Sequence, residues 1–169
     1  LKDYKTEKIL IMGCSLDMAK SIILFRKELA VRSPIELPNN WPSNRFLSFL
    51  PLLIEDLEAE TSSNFNMWIL ADIVQKKMVG DILLYKMKDK KETAFLETYF
   101  ISFQHEKKHY KEMMKLFLDY VMIHFDGEYK HVNVEVLYTD NFKIDMLKRL
   151  GFYLKKKDHP YLLWSFELK

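Results

Sequence analysis

The chain has 169 residues, of which 49% are hydrophobic and 30% charged, and its formal net charge is +2. That composition fits one globular domain, spanning 1–169, with a core of useful size, and the charge is too small to argue for nucleic acid. No apolar run approaches the roughly 20 residues needed to cross a bilayer, and Cys14 is the only cysteine, so an internal disulfide is excluded.

The opening LKDYKTEKILIMG lacks the apolar core and small-residue cleavage site of a signal peptide. With the lone Cys14, which suits a reducing compartment, the expectation is a cytoplasmic protein. Lys8 to Cys14 (KILIMGC) is a buried-strand candidate ended by Gly13. Ser15-Leu16-Asp17 then opens a helix that carries Ala19, Ile22, Ile23, Arg26 and Leu29 at helical spacing and fades near Val31. RSPIELPNNWPSN, with three prolines and three asparagines, reads as a loop. A second helix from Ser43 or Asn44 to about Glu60 puts Phe46, Phe49, Leu50, Leu53 and Leu57 on one face, and Pro51 inside it predicts a kink or a split.

Three strands follow, FNMWILADIV, MVGDILLYKM and TAFLETYFISF, with turns at Lys76-Lys77 and KDKKET, as in an antiparallel meander. A long helix from about Tyr110 to Phe125 carries Met113, Met114, Phe117, Leu118, Val121 and Met122, and Gly127 stands near its C-terminal cap. HVNVEVLY alternates as a strand, Asn141 to Leu150 is a short helix stopped by Gly151, and YLKKKDHPYLLWSFEL reads as a hairpin turning at Asp158-His159-Pro160. Strand, two helices, three strands, helix, strand, helix and two strands make an α+β domain with a mostly antiparallel sheet. The strand–helix–strand unit around the long helix supplies one parallel pair.

His105 to His109 (HEKKH) matches the zinc-protease pattern H-E-x-x-H. A zinc hydrolase needs both histidines on one face of a buried helix, a third ligand, and a glutamate beside the bound water. The segment follows a strand, Lys107-Lys108 places two cations inside the motif, and no third ligand follows at a recognised spacing. The plainer account is a polar helix start, with no metal.

TEKILIMGCSLDMAKSI resembles the opening T-E-R-L-x-L-R-x-x-x-x-x-D-A of the GNAT superfamily of N-acetyltransferases, with Thr6, Glu7, Ile9 and Asp17 in register. Met78-Val79-Gly80-Asp81 resembles that family's I-x-G-D strand entry, and Glu97 stands where many members carry a strand glutamate. EVLYTDNFKIDMLKRLGFYL resembles the ending N-x-x-S-I-x-x-L-E-K-L-G-F through Leu147, Arg149, Leu150, Gly151 and Phe152. These marks span most of the chain, and the branch most similar in look acetylates ribosomal-protein amine termini. The resemblance implies the GNAT fold, acetyl-CoA as co-substrate, a primary amine as acceptor (a peptide terminus or a small molecule) and, as in many members, a homodimer.

It also implies roles. HEKKHYKEMM occupies the pyrophosphate loop R/Q-x-x-G-x-G/A, where main-chain N–H groups at a helix start cradle phosphates. The aligned residues are Glu106, Lys107, Lys108, His109, Tyr110 and Lys111. Glu106 replaces the leading cation, while His109 and Lys111 replace both small residues; the lysines bring positive charge. Binding with changed geometry, weak binding and loss of binding all stay open, so a catalytically silent binding module is the alternative to an enzyme.

In the family the amine attacks the thioester directly, with main chain polarising the carbonyl. Here that main chain is about Ile101, Ser102 and Phe103, and Glu97 is the implied base, or else a half-exposed strand residue paired with a lysine. Leu147 stands where a tyrosine acid is usual and Lys143 where a serine is common; Tyr138 and His105 are weaker acid candidates. Asn141 is a coenzyme contact or a helix cap, and Trp41, before Pro42, is an acceptor-pocket wall or a loop anchor.

Overall fold

The computed structural model describes residues 3–59, 65–87 and 89–169. Its elements are β1 (Tyr4–Lys5), β2 (Ile9–Gly13), α1 (Leu16–Leu24), α2 (Arg26–Arg32), α3 (Asn44–Glu58), β3 (Phe65–Asp72), β4 (Lys77–Lys86), β5 (Thr93–Phe100), α4 (Phe103–His124), β6 (His131–Leu137), α5 (Asn141–Leu150), β7 (Tyr153–Asp158) and β8 (Tyr161–Glu167). The hydrogen-bonded strand order is β1-β2-β3-β4-β5-β6-β8-β7. The fold is α+β with a mixed, mostly antiparallel sheet, and β5 with β6 forms the parallel pair. The chain divides into two compact units, residues 1–83 with 98–106 and residues 84–97 with 107–169.

In the first unit β2 runs antiparallel to β3, Ile9 opposite Asp72 and Gly13 opposite Trp68. β3 is buried without a break from Met67 to Asp72, the pattern of a central strand covered on both faces. α1 and α3 each present an apolar stripe, Ala19 and Ile22 on one and Phe46, Leu50 and Leu53 on the other. Burying each large side chain of that stripe contributes about 2 kcal/mol. Both helices start at a serine whose hydroxyl accepts a main-chain N–H three residues on, Ser15 from Met18 and Ser43 from Phe46.

Two expectations are corrected in this unit. The first helix breaks at Phe25, which leaves helical geometry at φ −131° and ψ 38°, so α1 and α2 are separate. Of the kink or split expected at Pro51, the split does not occur: α3 runs through it. Pro51 lies on the exposed side, as does Leu47 one turn before it, so the carbonyl that loses its donor faces water. Glu60, the expected end of that helix, and Lys88 of the expected turn lie outside the described residues.

The second unit is built on α4, whose buried residues from His109 through Met113, Met114, Phe117, Leu118 and Val121 recur at three- and four-residue steps. β6 buries Val132, Val134 and Val136, and Asn133 between them as well, and pairs antiparallel with β8 from His131–Glu167 to Leu137–Tyr161. Asp140 caps α5 by accepting the N–H of Lys143, and Gly151 ends it in the left-handed region at φ 97°, a conformation that a side chain resists. β7 is exposed along its length at the sheet edge, carries Lys155 to Lys157, and is bulged between Leu154 and Lys156. Charge and bulge both discourage a further strand from adding there.

Candidate active site

Within the first unit, the end of β5 is held against β4 at close range. A Cβ placed on Gly80 would lie 2.1 Å from the main-chain oxygen of Tyr99, so only glycine permits this approach. The N–H of Ile101 donates to the Val79 carbonyl at 2.9 Å. The main-chain groups of Tyr99 and Ile101 therefore face β4. Because successive strand residues point their N–H and C=O to opposite edges, those of Thr98 and Phe100 face the other way.

The loop before α3 is pinned onto this strand end. Tyr99 donates its hydroxyl to the Asn40 carbonyl at 2.8 Å, and the Asn40 side-chain amide donates to the Ile101 carbonyl at 2.8 Å. Trp41 is buried, and its indole N–H donates to the Gly80 carbonyl at 2.8 Å. The Arg26 guanidinium donates to the carbonyls of Pro38 and Trp41. Asp81 is buried behind the loop and accepts both the N–H and the hydroxyl of Ser43, at 2.9 and 2.8 Å. Burial pushes its carboxyl up to about 7, against the lowering effect of the two Ser43 bonds. The Tyr99 hydroxyl is raised above its ordinary value, first by desolvation and then by the Asp81 charge, so it stays a donor.

Only Ile101 and Ser102 separate β5 from α4. Ser102 caps the helix. Its hydroxyl accepts the His105 N–H at 3.2 Å, and its carbonyl accepts the Glu106 N–H at 3.1 Å. The Ser102 Oγ also lies 2.6 Å from His105 Nδ1, and His105 Nε2 lies 3.0 Å from Gln75 Oε1 in the β3–β4 turn.

This junction corrects the expected start of the long helix. The helix begins at Phe103, not near Tyr110, so HEKKHYKEMM forms its first turns, not a loop. The local reason is the Ser102 cap, which supplies a helix start seven residues earlier than the apolar periodicity does. Lys107, Lys108 and Lys111 are exposed, His109 is buried, and Tyr110 is buried with its ring edge toward Phe142 at 6.1 Å. β5 likewise ends at Phe100, so Phe103 is helical, and Ile101 spends both its main-chain groups on Val79 and Asn40.

The other sequence-derived candidates are spread out. Glu97 is half-buried on β5. Tyr138 is exposed after β6, with its ring 5.0 Å from that of His159. Asn141 is the exposed first residue of α5, and the cap is Asp140, one residue earlier. Trp41 sits inside as the anchor of its loop. Among the described residues, no group of three or more His, Cys, Asp or Glu is arranged to hold a metal ion. Nor is any helix long and apolar enough to cross a membrane. Sequence reasoning missed Asn40, Tyr99 and Gln75. Tyr99 and Asn40 are 59 residues apart and carry no motif, so only the folded chain couples them.

Comparison with solved structures decides the architecture. The ribosomal-protein-S5-alanine acetyltransferase of Vibrio fischeri superposes over 100% of this chain and 98% of its own, at TM-score 0.67 and 13% identity. The spermidine N-acetyltransferase of Vibrio cholerae covers 96% of this chain and 95% of its own, at TM-score 0.64 and 11% identity. The chain has the GNAT fold. The ribosomal L7/L12 alpha-N-protein acetyltransferase RimL, solved with coenzyme A, matches this chain over 99% of its length and 98% of RimL's, at TM-score 0.61 and 10% identity. No protein-family profile matches the sequence, and no curated protein matches it.

Proposed function

We propose that this chain is an acetyl-CoA-dependent N-acetyltransferase acting on a primary amine. The observation that carries the reading is the shape of β5. Its parallel register with β6 takes in Thr93, Ala94 and Phe95, while the strand runs on to Phe100. From there Thr98 and Phe100 turn their main-chain N–H and C=O away from β4. A pantetheine arm, which is a chain of amides, fits such an edge by adding as a strand would. Neighbours on the same fold support the choice of ligand: RimL was solved with coenzyme A, and the microcin C7 self-immunity acetyltransferase MccE with acetyl-CoA and AMP.

The phosphate end fits differently. The two-residue junction leaves no glycine-rich loop, so a pyrophosphate meets the first N–H groups of α4, with Lys107 and Lys108 exposed on the next turn. Bound coenzyme supplies the activated acyl group. Glu97 then takes the amine proton, directly or through water, and the main chain of β5 around Thr98 and Phe100 orients the thioester. Tyr138 stays the candidate acid for the leaving thiolate and Asn141 a candidate coenzyme contact; Trp41 bears on the acceptor only through the loop it anchors. An amine terminus of a protein or a polyamine suits the reading equally, since neighbours acting on ribosomal proteins and on spermidine share the fold. The same neighbours, one of them dodecameric, make a homo-oligomer the expected assembly. The cytoplasm is the compartment this reading proposes.

A second reading, a module on this fold that binds no coenzyme, is favoured by the missing loop. Thermal denaturation with increasing acetyl-CoA separates the two. Saturable stabilisation is expected, about 2.7 kcal/mol at one hundred times Kd. An unchanged melting temperature at millimolar acetyl-CoA would overturn the enzyme reading in favour of the second.

A further inference from the structure

Capping explains why the Ser102 hydroxyl accepts the His105 N–H. It does not explain why the His105 ring folds back to bring Nδ1 within 2.6 Å of the same oxygen. Nor does it explain why the other ring nitrogen meets Gln75 Oε1 at 3.0 Å, from a turn 30 residues away. Gln75 is itself held, since Asp72, fully buried, accepts its N–H at 2.8 Å. A carbonyl oxygen on Nε2 requires the proton there and leaves Nδ1 as the acceptor of the Ser102 O–H. Nucleophile, base and orienting group thus stand in hydrogen-bonded order, at a strand-to-helix turn, with Ser102 and His105 half-buried.

We infer that Ser102 is a nucleophile activated by His105 and Gln75, and that this site hydrolyses small acyl esters or thioesters. The Ser102 Oγ bonds to the acyl carbon as its proton passes to His105 Nδ1. The carbon–oxygen or carbon–sulfur bond breaks, and the proton leaves on the alcohol or thiol. Water then attacks the acyl-serine, gives its proton to Nδ1, and releases the carboxylic acid as the serine oxygen recovers a proton. Main-chain N–H groups of the first turn of α4 are the candidates to stabilise the oxyanion. Gln75 is a positioning residue. The inference does not rest on coenzyme binding: it uses the Ser102, His105 and Gln75 side chains, and a coenzyme seated on the first turn of α4 would compete with the ester for that helix start.

The test uses the full chain and a fluorophosphonate, which reacts with activated serines, followed by intact-mass and peptide mass spectrometry. Wild type is expected to gain one adduct, on Ser102. Ser102→Asp, which keeps a good helix cap but has no hydroxyl, is expected to gain none while melting within a few degrees of wild type. His105→Gln is expected to label at least about 100-fold more slowly. Gln75→Leu slows labelling and Gln75→Glu, which restores an acceptor for Nε2, recovers it. An unlabelled wild-type Ser102, or equal labelling rates in wild type and His105→Gln, would overturn the inference and leave the trio as a helix cap.

Discussion

Asp81 holds Ser43 twice, through its N–H at 2.9 Å and its hydroxyl at 2.8 Å, while the Ser43 hydroxyl accepts the N–H of Phe46. One buried carboxylate therefore fixes both the start of α3 and the loop that carries Asn40 and Trp41. The same side chain bears on Tyr99, whose hydroxyl is raised above its ordinary value first by desolvation and then by the Asp81 charge. The loop, the helix and the end of β5 thus share one support.

That support titrates. The Asp81 carboxyl lies at about 7 in the folded chain against an ordinary value of 3.8, with burial as the leading cause. The folded state then binds more protons than the unfolded state between those values, so this group's contribution to stability falls as pH rises through that window and is level above it. The loss is on the order of 4 kcal/mol. Asp81→Asn should flatten the profile. Thermal denaturation at pH 4.5 and pH 8 is expected to show a smaller decline for the variant than for wild type. Parallel declines in the two proteins would contradict the assignment.

Gly80→Ala should be among the most damaging single changes in the first unit. The new methyl would lie 2.1 Å from the Tyr99 carbonyl oxygen and 3.3 Å from Leu70 Cδ2. The first neighbour is main chain and cannot rotate away, so β4 and β5 must part. The expected cost is about 3 kcal/mol or more, read as a drop of roughly 10 °C in melting temperature. A shift of under about 2 °C would mean that the strands tolerate the separation.

Much of the fold was legible because its signals are local. The serine caps of α1 and α3, the alternation of β6 and the Gly151 stop of α5 each lie within a few residues of the element they define. The N-terminal edge strand, Tyr4–Lys5, is two residues long and offered no periodicity. The start of α4 was misplaced because Ser102 was read as strand, and a polar first turn carries no apolar stripe. The candidate site was harder to read, because its bonds join Asn40 to Tyr99 and Ile101, Trp41 to Gly80, and Gln75 to His105. No pattern in the chain announces such pairings. The resemblance fixed the right scaffold but assigned the phosphate loop to residues that the Ser102 cap draws into a helix.

Trp41→Phe separates two roles that the sequence left open. If the residue anchors its loop, the variant loses the indole bond to the Gly80 carbonyl and leaves a buried acceptor without its donor. That costs about 1–3 kcal/mol. Denaturant unfolding should then show a lower midpoint with an unchanged slope. If instead the ring served chiefly as an acceptor wall, stability would hold and only the KM for the amine would rise.

Glu97→Gln tests the chemistry proposed for β5. The substitution keeps size and hydrogen bonding but removes the capacity to take a proton from the attacking amine. With Glu97 as base, kcat should fall about 100-fold or more, and the melting-temperature shift produced by acetyl-CoA should match wild type. The half-buried position predicts little loss of stability, within about 0.5 kcal/mol. The informative pairing is turnover with coenzyme binding, since a lysine-paired strand residue with no role in proton transfer would leave kcat near wild type. Retained turnover across a pH series would remove Glu97 from the mechanism and leave the positioning of amine and thioester, with solvent taking the proton, as the source of rate.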